Sequence, residues 1–289
     1  MTLTRPSGCK VNLLLNILGK RADGFHELET VMQSVALHDE LTFQRGGSGI
    51  QLSCSNPALP VDSANLVHRA ATAFLESARI ADGISIHLTK NIPMAAGLGG
   101  GSGNAAITLV GLNEIFGKPL SSEQLFPIAA RLGSDVPFFL QHQPAIAIGR
   151  GEQVESLEPF AALRGAWMLL IHPGFGISTP WAYQSLAKFP EALRGRPGRA
   201  RELVALLAGD LTSAGAAFYN SLEAPALHKH PILALYQEFL RAHGATATLM
   251  SGSGSATFAL VRGQSAAEVL REKFIAKFGS ANWTALAPL

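Results

Sequence analysis

The chain has 289 residues, 47% of them hydrophobic and only 15% charged, which is enough apolar side chain for one large or two modest folded domains and excludes a disordered chain. A formal charge of +2 excludes the strongly basic balance of a protein that lives on nucleic acid, and two cysteines, Cys9 and Cys54, exclude a disulfide framework or a multi-cysteine zinc site. The first residues lack the basic, apolar, small-residue order of a signal peptide, and no apolar run reaches the about 20 residues of a membrane span. A cytoplasmic protein with no membrane partner is expected.

In chain order, residues 10–18 form an apolar run with Asn12 and Asn16 set into it and read as a strand, followed by strands at 31–37 and 40–44. Glycines at 46, 47 and 49 mark a turn before a strand at 50–54. Residues 65–78 carry apolar side chains at helical spacing, whereas 83–89 alternates Ile84, Ile86 and Leu88 with polar residues as a strand does. A glycine-rich segment then leads into a helix ending near Gly117, and Ser121 opens another with Glu123 in its first turn, where the helix dipole favours an acid. A loop at 133–137 and a strand at 145–148 complete the first half. The second half, from about Glu155, opens with a strand at 167–172 and a helix start at Thr179 and Pro180. Residues 194–201 read as a basic loop, followed by two or three helices up to His243, strands at 246–250 and 256–261 around a glycine turn, and a helix at 266–278. Strands and helices mix without strict alternation, which predicts an α+β fold and not a doubly wound sheet.

Residues 97–106 join a predicted strand to a predicted helix through Gly97, Gly99, Gly100, Gly101 and Gly103. Glycine lets the backbone adopt positive φ and approach a ligand with no Cβ in the way. Unpaired N–H groups and the dipole at the helix start favour an anion, most often phosphate. Ser102 adds a hydroxyl for a phosphate oxygen or a phosphate-bound metal ion. A Walker A loop is excluded because Asn104 stands where its lysine belongs, and residues 101–106 fit the dinucleotide fingerprint only loosely.

Taken whole, Pro93 followed by Gly97, Leu98, Gly99, small residues and a helix resembles the phosphate loop of the GHMP kinase superfamily. These are small-molecule kinases named for galactose, homoserine, mevalonate and phosphomevalonate. Lys10, Val11 and Asn12 resemble the superfamily's first motif, and Ser251, Gly252, Ser253 and Gly254 its third. Residues 19–28, 97–106 and 132–137 are similar to the branch acting on a diphosphocytidyl-linked alcohol. The resemblance implies a two-domain α+β fold, with an N-terminal nucleotide-binding domain over 1–155, a C-terminal domain over 156–289 and the active site in the cleft between them. It implies transfer of the γ-phosphoryl group of ATP, with Mg2+, to the 2-hydroxyl of 4-diphosphocytidyl-2-C-methyl-D-erythritol, a step of the non-mevalonate isoprenoid route. No nucleic acid partner is expected, and a monomer or homodimer is.

The resemblance also assigns roles. Asp135 would be the general base and Lys10 the cation that keeps it ionised and stabilises developing charge. Pro93, Met94, Ala95, Ala96, Gly97, Leu98, Gly99, Gly100, Gly101, Ser102 and Gly103 would cradle ATP, with Asn65 near the adenine; no side-chain metal site is expected. Asn12 would hold the reacting end of the substrate. Phe25 would stack on the cytosine, His26 would hydrogen-bond its edge, and Thr179 and Tyr183 would close the site, Tyr183 from the opposite face. Four positions depart from the family's common pattern: Phe25 stands for Tyr, Gly103 for Ser, and Ala95 and Ala96 for two glycines. Alternatives are a kinase for another small alcohol, which would need no base-stacking pair, and a nucleotide-binding regulator without catalysis, which would need neither Lys10 nor Asp135. Arg194, Arg196, Arg199 and Arg201 read as a solvated loop, His228 and His230 as surface histidines, and Cys9 as a packing residue.

Overall fold

Two long strands, β1 (Thr2–Lys20) and β2 (His26–Arg45), open the chain in the computed structural model, which describes residues 2–141 and 143–289. β1 is buried at every position from Cys9 to Ile17, so it reads as a continuous apolar run that takes its polar members inside with it. The sequence predicts two strands at 31–37 and 40–44; the structure makes one, β2. Asp39 does not interrupt it, because its carboxylate is buried and fully hydrogen-bonded.

The chain divides into two compact units, one of Met1–Cys9, Leu37–Pro93 and Gly99–His142, the other of Lys10–Ala36, Met94–Leu98 and Gln143–Leu289. In the first, β3 (Ile50–Cys54) lies parallel to β4 (Ile84–Thr89), and β4 pairs antiparallel with the end of β2, from Glu40 opposite Thr89 to Arg45 opposite Ile84. Its helices are α1 (Leu66–Ala78), α2 (Gly100–Ile115) and α3 (Ser122–Leu132), followed by a 3-10 turn, Pro137–Leu140. Val67, Ala70, Ala71 and Phe74 bury one face of α1, the spacing that predicts it. α2 is buried nearly all round because its residues are small; the Phe43 ring packs on Gly111, where a Cβ would lie 2.5 Å from it.

In the second unit β5 (Ala145–Gly149) pairs antiparallel with the start of β2, Leu28 opposite Gly149, and with β6 (Gln153–Ser156). A separate antiparallel sheet has the order β11-β7-β10-β9, from β7 (Ala166–His172), β9 (Ala247–Met250), β10 (Thr257–Arg262) and β11 (Trp283–Pro288). The unit's helices are α4 (Thr179–Ser185), α5 (Pro190–Leu193), α6 (Arg199–Leu207), α7 (Leu211–Ala216), α8 (Glu223–Lys229), α9 (Ile232–Ala242) and α10 (Gln264–Phe278), of which α7, α9 and α10 pack on this sheet. A two-residue strand, β8 (Tyr219–Asn220), runs parallel to β1. Tyr236, Phe239, Phe274 and Phe278 form an aromatic cluster between α9 and α10.

The α+β class is observed. Four helices, not two or three, lie between 199 and 242, since Asp210 caps α7 and short turns break the run. The expected basic loop ends at Gly198: Arg199 and Arg201 belong to α6. Arg196 pairs with Glu202, Arg201 with Glu155, and Arg199 covers the Tyr219 ring. β6 and β11 were not expected, their alternation being too weak to read. Among the described residues no helix is long and apolar enough to cross a membrane.

Candidate active site

Burial of β1 places Lys10 inside the second unit at 3% exposure. An ammonium there is costly unless oxygen atoms replace its water. Lys10 Nζ donates to Asn12 Oδ1 at 2.6 Å and to the Gly97 carbonyl at 3.4 Å, and its backbone N–H donates to Leu98 O at 2.9 Å. Asn12 is held in turn: its Nδ2 donates to Thr30 Oγ1 at 2.8 Å, and that hydroxyl donates to Leu14 O. The amide oxygen is thereby fixed toward the lysine.

The carbonyl that receives Lys10 belongs to the segment Met94–Leu98, where Ala95 and Gly97 have φ of 50° and 77°. Gly97 must be glycine, since a Cβ would lie 2.0 Å from Ser251 O. Ser251 Oγ donates to Gly97 O at 3.0 Å and accepts the Asn12 N–H at 3.4 Å, while Ala256 N donates to Ala96 O at 3.0 Å. The late glycine turn is thus stitched to both β1 and the phosphate-loop segment. Behind it, Asn220 Nδ2 donates to Met250 O and Gly252 O, both at 2.8 Å, and the half-buried Glu223 accepts the Met250 N–H at 2.8 Å. Ala95 keeps its left-handed conformation beside Gly176, where a Cβ would fall 2.5 Å from that of Ala95.

In the first unit Gly99, at φ 69°, caps α2 with no side-chain hydrogen bond, so the first-turn N–H groups of Gly100, Gly101 and Ser102 are left for an anion. Pro93 is half-buried, and Met94, in the second unit, is exposed. Gly103 is a steric necessity: a Cβ would lie 2.5 Å from Gly8 O. Asp39, 1% exposed, fastens both flanks of the loop. Its Oδ1 accepts the N–H groups of Asn91 and Ile92 at 2.7 and 2.8 Å, and its Oδ2 pairs with Lys90 and accepts Asn104 Nδ2 at 2.9 Å. Asn65 is the N-cap of α1, accepting from Val67 N and donating to Pro60 O. Asp135 sits half-buried in the turn between α3 and Pro137.

The turn joining β1 to β2 carries Phe25, 51% exposed, and His26. Arg21 pairs with Asp23 and Glu27 across this turn, and Asp23 Oδ1 accepts the Phe25 N–H at 3.1 Å. The His26 ring lies 5.1 Å from that of Tyr183 on α4, tilted by 40°. Partial burial, with Lys20 nearby, lowers the His26 pKa and favours the neutral ring, which offers one donor and one acceptor. Thr179, at the start of α4, meets Ser253 Oγ through its hydroxyl at 2.9 Å. Of the residues singled out in the sequence, the structure therefore joins Lys10, Asn12 and Gly97 in one cluster, His26 and Tyr183 in another, and Thr179 to the glycine turn.

Two family models match, GHMP kinases N terminal domain over residues 65–143 and GHMP kinases C terminal over 203–281. A protein of Synechococcus sp. (strain JA-3-3Ab) named 4-diphosphocytidyl-2-C-methyl-D-erythritol kinase is 42% identical over 87% of this chain and 82% of its own. One of the same name from Syntrophotalea carbinolica is 36% identical over 96% and 95%. The chain belongs to the 4-diphosphocytidyl-2-C-methyl-D-erythritol kinase family. A crystal structure of a 4-(cytidine 5'-diphospho)-2C-methyl-D-erythritol kinase superposes with a TM-score of 0.82 at 34% identity, covering 99% of this chain and all of that one. Homoserine kinase from Cytophaga hutchinsonii, at 19% identity and a TM-score of 0.74 over 100% of this chain and 95% of its own, shares the fold.

Sequence reasoning missed several residues of this kinase that hold the motifs in place. Thr30 orients Asn12, Asp39 ties down the loop flanks, and Asn220 and Glu223 secure the glycine turn. Asp39 falls in the gap between two predicted strands, so its sequence context carries no sign that it is buried. Nothing near Thr30 or Asn220 marks them out, because their partners are distant in sequence.

Proposed function

We propose that this chain phosphorylates the 2-hydroxyl of 4-diphosphocytidyl-2-C-methyl-D-erythritol with ATP, giving the 2-phosphate and ADP in the methylerythritol phosphate route to isoprenoid precursors. The carrying observation is that the β1–β2 pair bears a buried ammonium that donates to Asn12 and Gly97 oxygens and, at its turn, Phe25 and His26, with the Tyr183 ring of α4 5.1 Å from the imidazole, a set suited to a pyrimidine. Phosphoryl transfer needs positioning and electrostatics more than covalent chemistry, so few groups suffice.

In this reading Asp135 accepts the proton of the attacking hydroxyl and Lys10 stabilises the charge that develops on it. Asn12 holds the reacting end of the substrate. The backbone of residues 93–103 receives the phosphates, and Asn65 positions the start of α1 beside the adenine. Phe25 and Tyr183 take the faces of the cytosine, His26 takes its edge, and Thr179 fixes α4 near the glycine turn. Among the described residues no group of three or more His, Cys, Asp or Glu side chains could hold a metal. Magnesium would therefore arrive with the triphosphate, for which the hard oxygen of Ser102 is a suitable protein donor, and would neutralise phosphate charge there. We place a domain boundary near residue 155, after the N-terminal family match and before the C-terminal one. A cytoplasmic monomer or homodimer without nucleic acid or membrane partners completes the proposal.

The test is ADP release with Mg-ATP and, separately, the diphosphocytidyl alcohol, mevalonate, homoserine and galactose. Turnover with the cytidyl compound alone is expected. Turnover with another alcohol instead would overturn the substrate, and silence with all four would overturn catalysis.

A further inference from the structure

The turn between β5 and β6 lies beside the aromatic group just described, for a reason of register. Leu28 pairs with Gly149 and Glu29 with Ile148 across the β2–β5 ladder. Beyond the last pair, Arg150 therefore continues toward Glu27 and the residues before it. Gly149 and Gly151, at φ 75° and 101°, let the chain reverse there, and Gly151 N donates to Ile148 O at 3.1 Å to close the turn. Glu152 steadies the arginine from behind, accepting the Arg150 backbone N–H at 2.7 Å and lying 3.5 Å from its Nε. The guanidinium ends over the face of Phe25, 4.7 Å from the ring centroid.

An exposed phenylalanine at a hairpin turn has no reason of its own to hold one orientation. A flat cation on one face supplies one, because the ring quadrupole attracts it. The ring then presents its other face, already oriented, and stacking on it costs a ligand less ordering entropy. A tyrosine at position 25 could anchor itself through its hydroxyl; phenylalanine needs an outside partner. From these contacts, and resting on the reading of Phe25 as the cytosine-stacking residue, we infer that Arg150 is a positioning residue of the nucleobase site. It forms a three-layer stack of guanidinium, Phe25 and cytosine.

Steady-state kinetics on the full chain, with a double-mutant cycle, tests this. Arg150→Ala should raise KM for the diphosphocytidyl substrate about two- to five-fold, the size of an exposed cation–π contact, with KM for ATP unmoved. In a Phe25→Ala background the same substitution should do nothing further, since the ring it acts through is gone. A general loosening of the fold would instead move both KM values in both backgrounds. No effect of Arg150→Ala alone, or the same factor with and without Phe25, overturns the inference. If Phe25→Ala by itself leaves the cytidyl KM unchanged, the stacking role of Phe25 fails, and the inference built on it fails too.

Discussion

Lys10 illustrates how a single side chain is made useful by its surroundings. Its ammonium donates to Asn12 Oδ1 and Gly97 O, which replace part of the water it gives up on burial. A cation held that way is suited to stabilising charge that appears on a reacting hydroxyl. The matching base in our proposal is Asp135, whose half-buried turn position keeps it reachable. Replacing it should separate binding from chemistry. Asp135→Ala is expected to lower kcat by about 10²- to 10⁴-fold, the range for losing a general base. ATP should still raise the melting temperature as it does in the parent, because the phosphate loop relies on backbone N–H groups. Retained turnover would remove Asp135 from the mechanism, and loss of the ATP-induced shift would make it a nucleotide ligand instead.

At the level of elements, the phosphate loop is a strand–loop–helix unit whose geometry is imposed from outside it. Asp39 on β2 grips the strand exit at Asn91 and Ile92 and the first turns of α2 through Asn104, so one carboxylate ties strand and helix together. α2 in turn approaches the N-terminal part of β1 so closely that position 103 has no room for a side chain. A serine there, the residue the family resemblance leads one to expect, does not fit this chain unchanged. Gly103→Ser should therefore cost about 1–3 kcal/mol, as overpacking does, because the atom 2.5 Å from the new Cβ is the Gly8 backbone carbonyl, which cannot rotate away. Urea unfolding measures this. A variant as stable as the parent would show that the helix can shift, and that the missing hydroxyl is a matter of function and not of space.

For the molecule as a whole, what the sequence disclosed was what is local. The glycines of residues 97–106, the amphipathic spacing of α1 and the alternation of β4 each lie within one window, and each is observed. Long-range partners stayed hidden. β2 looked like two strands because Asp39 is polar, and only the distant Lys90 and Asn104 explain why it belongs inside. The helices between 199 and 242 were undercounted for a related reason, their short lengths being set by packing and not by their own periodicity. Glu223 is another such residue, and it couples the glycine turn to global stability. Burial, outweighing the Met250 and Gln237 hydrogen bonds and the nearby Arg241, raises its pKa. A carboxyl raised on folding contributes fully below the pKa of the unfolded chain. That contribution is lost as pH rises toward the folded value, because the unfolded chain releases its proton first. Glu223→Gln keeps an oxygen for the Met250 and Gln237 N–H groups and removes the titration. Urea midpoints measured from mildly acidic to mildly alkaline pH should fall with rising pH more steeply for the parent than for the variant. Equal slopes would mean that Glu223 ionises in the folded state as readily as in the unfolded one, with the turn then held by a charged acceptor.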